Sequence, residues 1–238
     1  MNKMYEVLVL KEGYSIPKEE GQMKTSGSIT LIKGLHNIIV DTGNPWDRDL
    51  LLQGLQKYQL TPMDVDYVIC TSGRSDKVGN LNLFTKAKHI VSGELCFEDN
   101  FFKHAFKQGI PYEIDDEVEV VSTPGQSGSD VSVLVKNTAL GTVAVTGGLF
   151  ECFDDLEDPS LWQMLSEDPE SQEQGRISIL QLANHIIPGH GKMFQVPEDC
   201  KHHLRVVMYS EEQIQQTTEN TTTTSIQSQY VVIEKEDE

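Results

Sequence analysis

The chain has 238 residues, which is enough for one large domain or two small ones with a substantial core. Its formal net charge is −18 and its sequence pI is about 4.7. Such a surface repels phosphate backbones and disfavours non-specific nucleic-acid binding, although a local basic groove stays possible. The first residues lack the form of a signal peptide and no run of 18 apolar residues occurs, which predicts a soluble cytosolic or nuclear protein without a membrane partner.

Apolar and β-branched runs predict strands and helices that alternate along the chain in two halves. Predicted strands lie at residues 5–10, 28–32, 37–40, 65–70, 88–91, 111–114, 117–121 and 140–146, and within 121–135 and 185–191. Predicted helices lie at residues 47–59, 77–84, 160–165 and 170–182, with a last helix or its approach after residue 196. Residues 11–22 hold Gly, Pro and charges and read as a loop, and residues 96–104 permit no secure assignment.

The cysteines and the C-terminal composition bear on domain organisation. Cys70, Cys96, Cys152 and Cys200 are scattered without a CxxC pair, so reduced core thiols are predicted over a disulfide framework or a zinc knuckle. From about residue 210 the composition shifts to Thr, Gln, Glu, Asn and Ser. We therefore predict one domain over residues 1–209 and a disordered tail over residues 210–238.

Residues 68–84 are the stretch around which the rest is organised. A β-branched apolar run breaks at Gly73 and restarts as an amphipathic segment near Asp76, which predicts a strand, a loop and a helix. The polar side chains of such a loop stand at the carboxyl end of a strand, where α/β proteins build sites. The stretch closely resembles the strand-loop-helix of the metallo-β-lactamase superfamily, whose loop reads Thr-His-x-His-x-Asp-His and binds two metal ions.

Further motifs of that family recur in the right order between about residues 29 and 194. An Asp-Thr-Gly turn begins at Asp41, a Thr-Pro-Gly segment leads to Gln126 and an Asp-Val-Ser strand, a Gly-Gly-Leu-Phe segment contains Gly148, and a Pro-Gly-His-Gly loop contains His190. The resemblance implies an α/β (α+β) fold: a single-domain, four-layer αβ/βα sandwich of two sheets with helices outside.

The resemblance also implies a metal site, and this sequence departs from it at most ligand positions. Of seven family ligand positions, the two that keep a ligand are Asp76 and His190, which would both serve the second metal. The other five carry Ser72, Arg74, Lys77, Gln126 and Gly148, none of which is a normal zinc ligand. Asp41 and Thr71 match the family residues that support the metal loop from behind. No catalytic residue is predicted.

Several side chains carry two interpretations. Asp41 is either this support or an ordinary turn residue. Arg74 and Lys77 either form an anion site or pair with Asp76 and nearby acids, filling the space left by the metals. His190 reads as a hydrogen-bonded loop histidine, with Cys70 or His36 as conceivable extra ligands. A Ser72-His190-Asp76 triad is disfavoured, because no nucleophile elbow is present.

Two functions follow, and metal content separates them. The first is a non-catalytic, binding or regulatory pseudoenzyme that needs no cofactor and acts as a homodimer or by pairing with an active relative. The alternative is a metal-dependent hydrolase that uses zinc. The resemblance implies for it the role of intact relatives, which are homodimeric endoribonucleases of the cytoplasm and nucleus that process histone pre-mRNA 3′ ends. RNA is a partner only under this alternative. A weaker third idea is a small-anion sensor at Arg74 and Lys77.

Overall fold

The computed structural model describes residues 4–202, 206–207 and 232–233. Its contacts divide the chain into two compact units, Met1–Val196 and Pro197–Glu238. The strands are β1 (Glu6–Lys11), β2 (Tyr14–Pro17), β3 (Met23–Ser26), β4 (Ile29–Lys33), β5 (Asn37–Val40), β6 (Tyr67–Cys70), β7 (Lys88–Val91), β8 (Glu94–Phe97), β9 (Asn100–Phe102), β10 (Tyr112–Glu113), β11 (Val118–Ser122), β12 (Val131–Thr138), β13 (Gly141–Gly147), β14 (His185–Pro188), β15 (Phe194–Gln195), β16 (Val206–Val207) and β17 (Val232–Ile233). The α-helices are α1 (Arg48–Lys57), α2 (Ser75–Val78), α3 (Ser160–Gln163), α4 (Pro169–Leu182) and α5 (Glu198–His202).

The first unit contains two mixed sheets. The first has the order β1-β4-β5-β6-β7-β8-β9 and the second β10-β11-β12-β13-β14-β15. β5, β6 and β7 pair in parallel, and so do β13 and β14. Parallel neighbours end at the same edge of a sheet, so the motif loops that follow β5 and β6 lie side by side, as do those that follow β13 and β14. The predicted fold, an α/β sandwich with two mixed sheets, is confirmed.

The main core lies between the two sheets. Ile38 and Ile69 of the first sheet pack in one cluster with Val120, Val133 and Val145 of the second. Side chains alternate across a strand, so the next residues along β5 and β6 face the other way. They form a second cluster with the buried leucines of α1, which therefore covers the outer face of the first sheet. This is the expected placement of helix outside sheet.

The predicted helix over residues 77–84 is wrong. The helix α2 lasts one turn, and a short 3-10 turn follows at Leu81–Leu83. Gly79 stops the helix, because its amide donates to the carbonyl of Gly43 and a Cβ at Gly79 would lie 2.4 Å from that oxygen. Asn80 then donates from Nδ2 to the carbonyls of Thr42 and Asn44. The loops after β5 and β6 are thus tied together at the edge where the motif residues stand.

The predicted loop over residues 11–22 is also wrong in part. β2 lies inside it and pairs antiparallel with β3, from Tyr14 opposite Ser26 to Pro17 opposite Met23. Among the described residues these two strands pair only with each other, and most of their side chains are exposed or half-buried. The sequence therefore lacks the alternation of apolar and polar residues that predicts a core strand. The unassigned residues 96–104 contribute to β8 and to the edge strand β9.

The second unit comprises α5 and the antiparallel pair β16–β17 within its described part. The predicted boundary between residues 209 and 210, and residues 210–231 and 234–238 of the predicted tail, lie outside the described residues and stay predictions. Cys70 is buried, while Cys96, Cys152 and Cys200 are partly exposed, so Cys70 alone is a core thiol. No helix in the described residues is long and apolar enough to cross a bilayer.

Candidate functional site

Asp41 supports the loop that follows β6. It has φ 60°, lies at the end of β5 and is buried. Its Oδ1 accepts a hydrogen bond from the amide of Thr71 at 2.8 Å, and the Thr71 hydroxyl lies 3.0 Å from Oδ2. Burial raises the pKa of Asp41, while the charge of Lys77 and the hydrogen bonds from Thr71 oppose that rise. Of the two interpretations of Asp41, the geometry matches the support of the motif loop.

Lys77 lies under that loop and is fully buried, at 0% relative exposure. Its Nζ is 3.5 Å from Oδ2 of Asp41 and donates to the carbonyl of Gly189 at 3.3 Å. Its own carbonyl accepts hydrogen bonds from the amide and the hydroxyl of Thr42. Burying an ammonium without partners costs much free energy. The Asp41 carboxylate and the Gly189 carbonyl therefore allow a lysine at a position where the family has a metal-binding histidine.

His190 joins the two halves of the fold through two carboxylates. Its Nε2 is 2.8 Å from Oδ2 of Asp76, which follows β6, and its Nδ1 is 2.5 Å from Oε2 of Glu151, which follows β13. All three side chains are buried. Burial and the charge of Lys77 lower the pKa of His190, but the hydrogen bonds to the two carboxylates outweigh them and the net pKa is raised. A protonated imidazole donates to both neighbours.

The two carboxylates respond in the opposite direction. Burial raises the pKa of Asp76, but the hydrogen bond from His190 and the charges of Lys77, His190 and Arg74 bring it well below its usual range. Burial likewise raises the pKa of Glu151, and the hydrogen bond and charge of His190 lower it by more. Both groups are therefore ionised at neutral pH, with cationic partners in contact.

Gln126 and Gly148 complete the arrangement. Nε2 of Gln126 donates to Oε1 of Glu151 at 2.6 Å, which fixes the amide orientation. A Cβ built on Gly148 would lie 2.0 Å from Oε1 of Gln126, so the glutamine side chain occupies the space where the family has an aspartate. This Oε1 has no hydrogen-bond partner in the described part of the chain. The residues at positions 126 and 148 are thus sterically coupled.

Ser72 and Arg74 lie at the rim. Ser72 is buried, and its hydroxyl accepts from the amide of Arg74 at 3.4 Å. Nε of Arg74 is 3.7 Å from Oδ1 of Asp76, and its side chain is 39% exposed. Both ring nitrogens of His190 are engaged by carboxylates, so the imidazole is not placed as a base for Ser72. The disfavoured serine triad gains no geometric support.

We call six of these residues the ion cluster; it consists of Asp41, Arg74, Asp76, Lys77, Glu151 and His190. With His190 protonated and Asp41 ionised beside Lys77, three carboxylates face three cations, and in that state the cluster carries no surplus positive charge that would attract an anion. The charges compensate one another inside the fold, which favours the pairing interpretation of Arg74 and Lys77 over the anion site.

The donor set does not fit a zinc ion. The described residues hold no group of three or more His, Cys, Asp or Glu side chains arranged for a metal. Cys70 donates its thiol to the carbonyl of Lys77, and His36 stacks edge-on against Tyr67, so neither of the two suggested extra ligands joins Asp76 and His190. Zinc takes thiolate, imidazole and carboxylate ligands, whereas the buried ammonium of Lys77 repels any cation placed beside it.

Three residues that hold this centre were not predicted from the sequence, namely Glu151, Gln172 and Arg176. Gln172 of α4 donates to the carbonyl of Gly148, and Arg176 donates to the carbonyl of Leu149, so both fix the loop that carries Glu151. Arg176 is also paired with the buried Asp155. One signal was available for Glu151: an acid directly after the apolar Leu-Phe pair at a strand end needs a buried partner.

The pKa directions predict a stability profile. The raised pKa of His190 stabilises the fold below the unfolded-state histidine pKa, and this stabilisation is lost as pH rises through the folded value. The lowered pKa values of Asp76 and Glu151 stabilise the fold above the ordinary carboxyl range, and that contribution is lost as pH falls through their folded values. We expect His190→Gln to lower the melting temperature at pH 6 and to flatten its decline above the ordinary histidine pKa of about 6.5.

Melting temperatures measured from pH 5 to 9 by differential scanning fluorimetry check this, with His104→Gln as a matched control because His104 is half-buried outside the ion cluster and its Nε2 contacts a backbone carbonyl instead of a carboxylate. An unchanged alkaline slope in His190→Gln would show that the imidazole is neutral in the folded protein.

Comparisons with known proteins point to the same family as the sequence motifs. The pattern of the Metallo-beta-lactamase superfamily matches residues 24–155. Metallo-β-lactamase domain-containing protein 1 of Xenopus laevis is 50% identical over 194 residues, which cover 81% of this chain and 82% of that protein. The Homo sapiens protein of the same name is 39% identical over 222 residues, with 81% and 82% covered.

The fold has a solved counterpart in an N-acyl homoserine lactone hydrolase with N-hexanoyl-L-homoserine bound at its catalytic metal center. It covers 80% of this chain and 94% of its own, with a TM-score of 0.56 and 16% sequence identity, a likeness that concerns the fold alone. The matched pattern extends over more than half of the chain, and the two curated relatives exceed 30% identity over most of it. This protein therefore belongs to the metallo-β-lactamase superfamily.

Proposed function

We propose that this chain is a metal-free, non-catalytic member of its superfamily that acts by binding a partner. The observation that carries the proposal is the position of Lys77, fully buried with Nζ 3.5 Å from Asp41, in the loop where the family places metal ligands. An ammonium at this point takes the electrostatic role of a metal ion, because it compensates the buried carboxylates. It supplies neither a Lewis acid nor a bound hydroxide.

The rest of the ion cluster supports the same interpretation. Asp76 and His190 keep the identities of ligands, but they are bonded to each other at 2.8 Å, and the second ring nitrogen of His190 contacts Glu151. Each hydrolytic step in such a fold needs an activated water and a polarised electrophile. The described side chains offer neither, since their charges are paired within the cluster.

The alternative is a metal-dependent hydrolase with the endoribonuclease role in histone pre-mRNA 3′-end processing. The similarity to metallo-β-lactamase domain-containing protein 1 and the retained Asp76 and His190 favour it. It requires zinc and an RNA partner. The cation at Lys77 and the net charge of −18 both oppose it, because the first repels a metal ion and the second repels a phosphate backbone.

The binding role carries its own expectations. We propose that the protein works as a homodimer or by pairing with an active relative, in the cytoplasm or nucleus. Under this proposal Asp76 and His190 are structural residues of the cluster. Lys77 and Gln126 fill the metal position, Gly148 leaves the space that Gln126 occupies, and Ser72 and Arg74 lie at the rim.

The deciding experiment is elemental analysis of the purified protein before and after incubation with zinc and iron, each followed by dialysis. We expect less than about one metal per ten chains at both stages, because two ligands fall short of the three or four that zinc needs. Loading to one or more metals per chain, lost in both Asp76→Asn and His190→Gln, would overturn the proposal. An Asp66→Asn variant is the matched control, since Asp66 is a half-exposed carboxylate away from the cluster.

A further inference from the structure

A groove of about 540 Å³ lies along α4. One wall is the end of β11 and the loop after it, residues 121–124. The other wall is α4, through residues 170–171, 174–175, 178–179 and 182. These positions recur every three to four residues, which places them on one face of the helix. The groove therefore runs the length of α4, roughly 18 Å at about 1.5 Å per residue.

The chemistry of the groove is apolar with a polar margin. Val121 and Pro124, both half-buried, and Leu182, which is 57% exposed, supply the apolar surface, and Ile179 lies buried beneath it. The margin is made of serine hydroxyls and of Gln174. The helix buries Gln172, Arg176 and Ile179 against the fold and leaves Leu182 exposed beside the half-buried Val121 and Pro124, so an apolar side chain from outside could cover these three residues.

The charge next to the groove has one sign. Residues 151–173 contain seven Asp and Glu residues that are exposed or partly exposed and neither Lys nor Arg, while Glu151 and Asp155 of the same segment are buried and paired with His190 and Arg176. Glu170 lines one end of the groove, and the exposed Glu167 and Asp168 precede it. Phe153, at 44% exposure, and Met164, at 79%, lie in the same acidic segment. Apolar side chains within an anionic surface complement a partner that is cationic and amphipathic.

The walls are held in place from within. Gln172, on the inner face of α4, donates to the carbonyl of Gly148, and a Cβ at Gly175 would lie 3.1 Å from Leu149. The amides of Glu167 and Asp168 both donate to the carbonyl of Gly125. Because the inner contacts fix both walls, a partner would find the groove already formed and would lose little free energy in ordering it.

We propose that this groove docks a basic amphipathic helix of a partner protein, with apolar side chains against Val121 and Leu182 and Lys or Arg side chains against Glu170. The proposal rests on the binding role above and names the class of partner. Strand addition has little edge to use at this wall, since β12 pairs along all of β11 and β10 pairs as far as Val120, which leaves only Val121 and Ser122 open on that side. The groove is too open to desolvate most of a small ligand, whereas a helix can cover its length.

The test uses a fluorescein-labelled synthetic peptide of about 18 residues, with Leu at i, i+3 and i+4 positions and Lys elsewhere. Its dissociation constant is measured by fluorescence anisotropy in about 0.15 M salt, where charges on a surface are screened within about 8 Å. A peptide with the same composition in scrambled order removes the apolar stripe and keeps the charge. We expect the scrambled peptide to bind about tenfold more weakly or worse.

Two variants block the groove, and two matched controls place the same change elsewhere. Gln174→Lys puts a like charge in the middle of the groove, and Leu182→Lys replaces its exposed leucine; each is expected to weaken the ordered peptide about tenfold or more. Both positions are exposed, so the fold tolerates them, which a melting curve verifies. The controls are Gln53→Lys on α1 and Leu35→Lys in the β4–β5 turn, with an expected change below about twofold.

The outcomes separate the groove from the binding role. Equal losses in groove variants and controls, or equal binding of ordered and scrambled peptides, would mean that net charge alone attracts the peptide, and the groove proposal would fail. A change in solution mass with Leu182→Lys would assign the groove to a second copy of the chain, which also overturns it. Metal loading with intact groove binding would instead overturn the non-catalytic role and leave the groove standing.

Discussion

Replacing Lys77 with methionine is expected to lower the free energy of unfolding by about 3–5 kcal/mol. The ammonium is fully buried, and its removal leaves the Asp41 carboxylate, 3.5 Å away, without a cation in contact. The Gly189 carbonyl loses one of its two donors in the same change and keeps the amide of Ser28. Methionine fills a similar volume without the charge, so the measured loss reports the uncompensated carboxylate and not a cavity. Urea unfolding monitored by circular dichroism at pH 7 gives the value.

Two companion variants make this test specific. Lys86→Met removes an exposed lysine and should change the free energy of unfolding by less than about 0.5 kcal/mol. The double variant Lys77→Met/Asp41→Asn removes both charges and should be less destabilised than the sum of its single variants, because the unpaired carboxylate is gone. A Lys77→Met loss below about 1 kcal/mol would show that the pair with Asp41 contributes little to stability, and the proposal that Lys77 replaces a metal charge would lose its energetic basis.

Most strands could be predicted from the sequence because their signals are local and repeated, whereas their arrangement in a two-sheet sandwich was implied by the resemblance to the family. β5, β6 and β14 are short β-branched runs that end in turn residues, and the structure places them where the family motifs predicted. The predictions failed where tertiary contacts determine where an element ends. Gly79 ends the helix predicted over residues 77–84 because the backbone of Gly43 lies against it, and no local pattern contains that neighbour.

The places of the site residues could be predicted from the motifs, but most of the contacts between their side chains could not. The substituted residues lie at the edge of the sheets where the motifs indicated, and Lys77 and Arg74 do face carboxylates. Of the two carboxylate partners of His190, Glu151 was not predicted, since it is 39 residues away in sequence and no family ligand occupies its position. Pairings between side chains that depart from a family pattern depend on distances across the fold, which spacing along the chain does not encode.

Adding one methyl group at Gly148 is expected to be almost as disruptive as removing Lys77. A Cβ there would lie 2.0 Å from Oε1 and 2.3 Å from Cδ of Gln126, whose Nε2 is held by Glu151 at 2.6 Å. The glutamine cannot move aside without breaking that bond, so Gly148→Ala should lower the free energy of unfolding by about 3 kcal/mol, the upper range for overpacking. Gly128→Ala is the control, because a Cβ at Gly128 meets nothing within 4 Å.

The free energy of unfolding of Gly148→Ala, measured again in a Gln126→Ala background, tests whether these two residues together block the former metal site. Gln126→Ala alone should lower the free energy of unfolding by about 1 kcal/mol through the lost hydrogen bond. Gly148→Ala should then add less than about 1 kcal/mol, since the clashing amide is gone. If the two losses simply add, the side chain of Gln126 is free to relocate. If they couple as expected, the family's aspartate cannot return at position 148 while Gln126 keeps its place, and any reconstruction of a metal site must change both residues together.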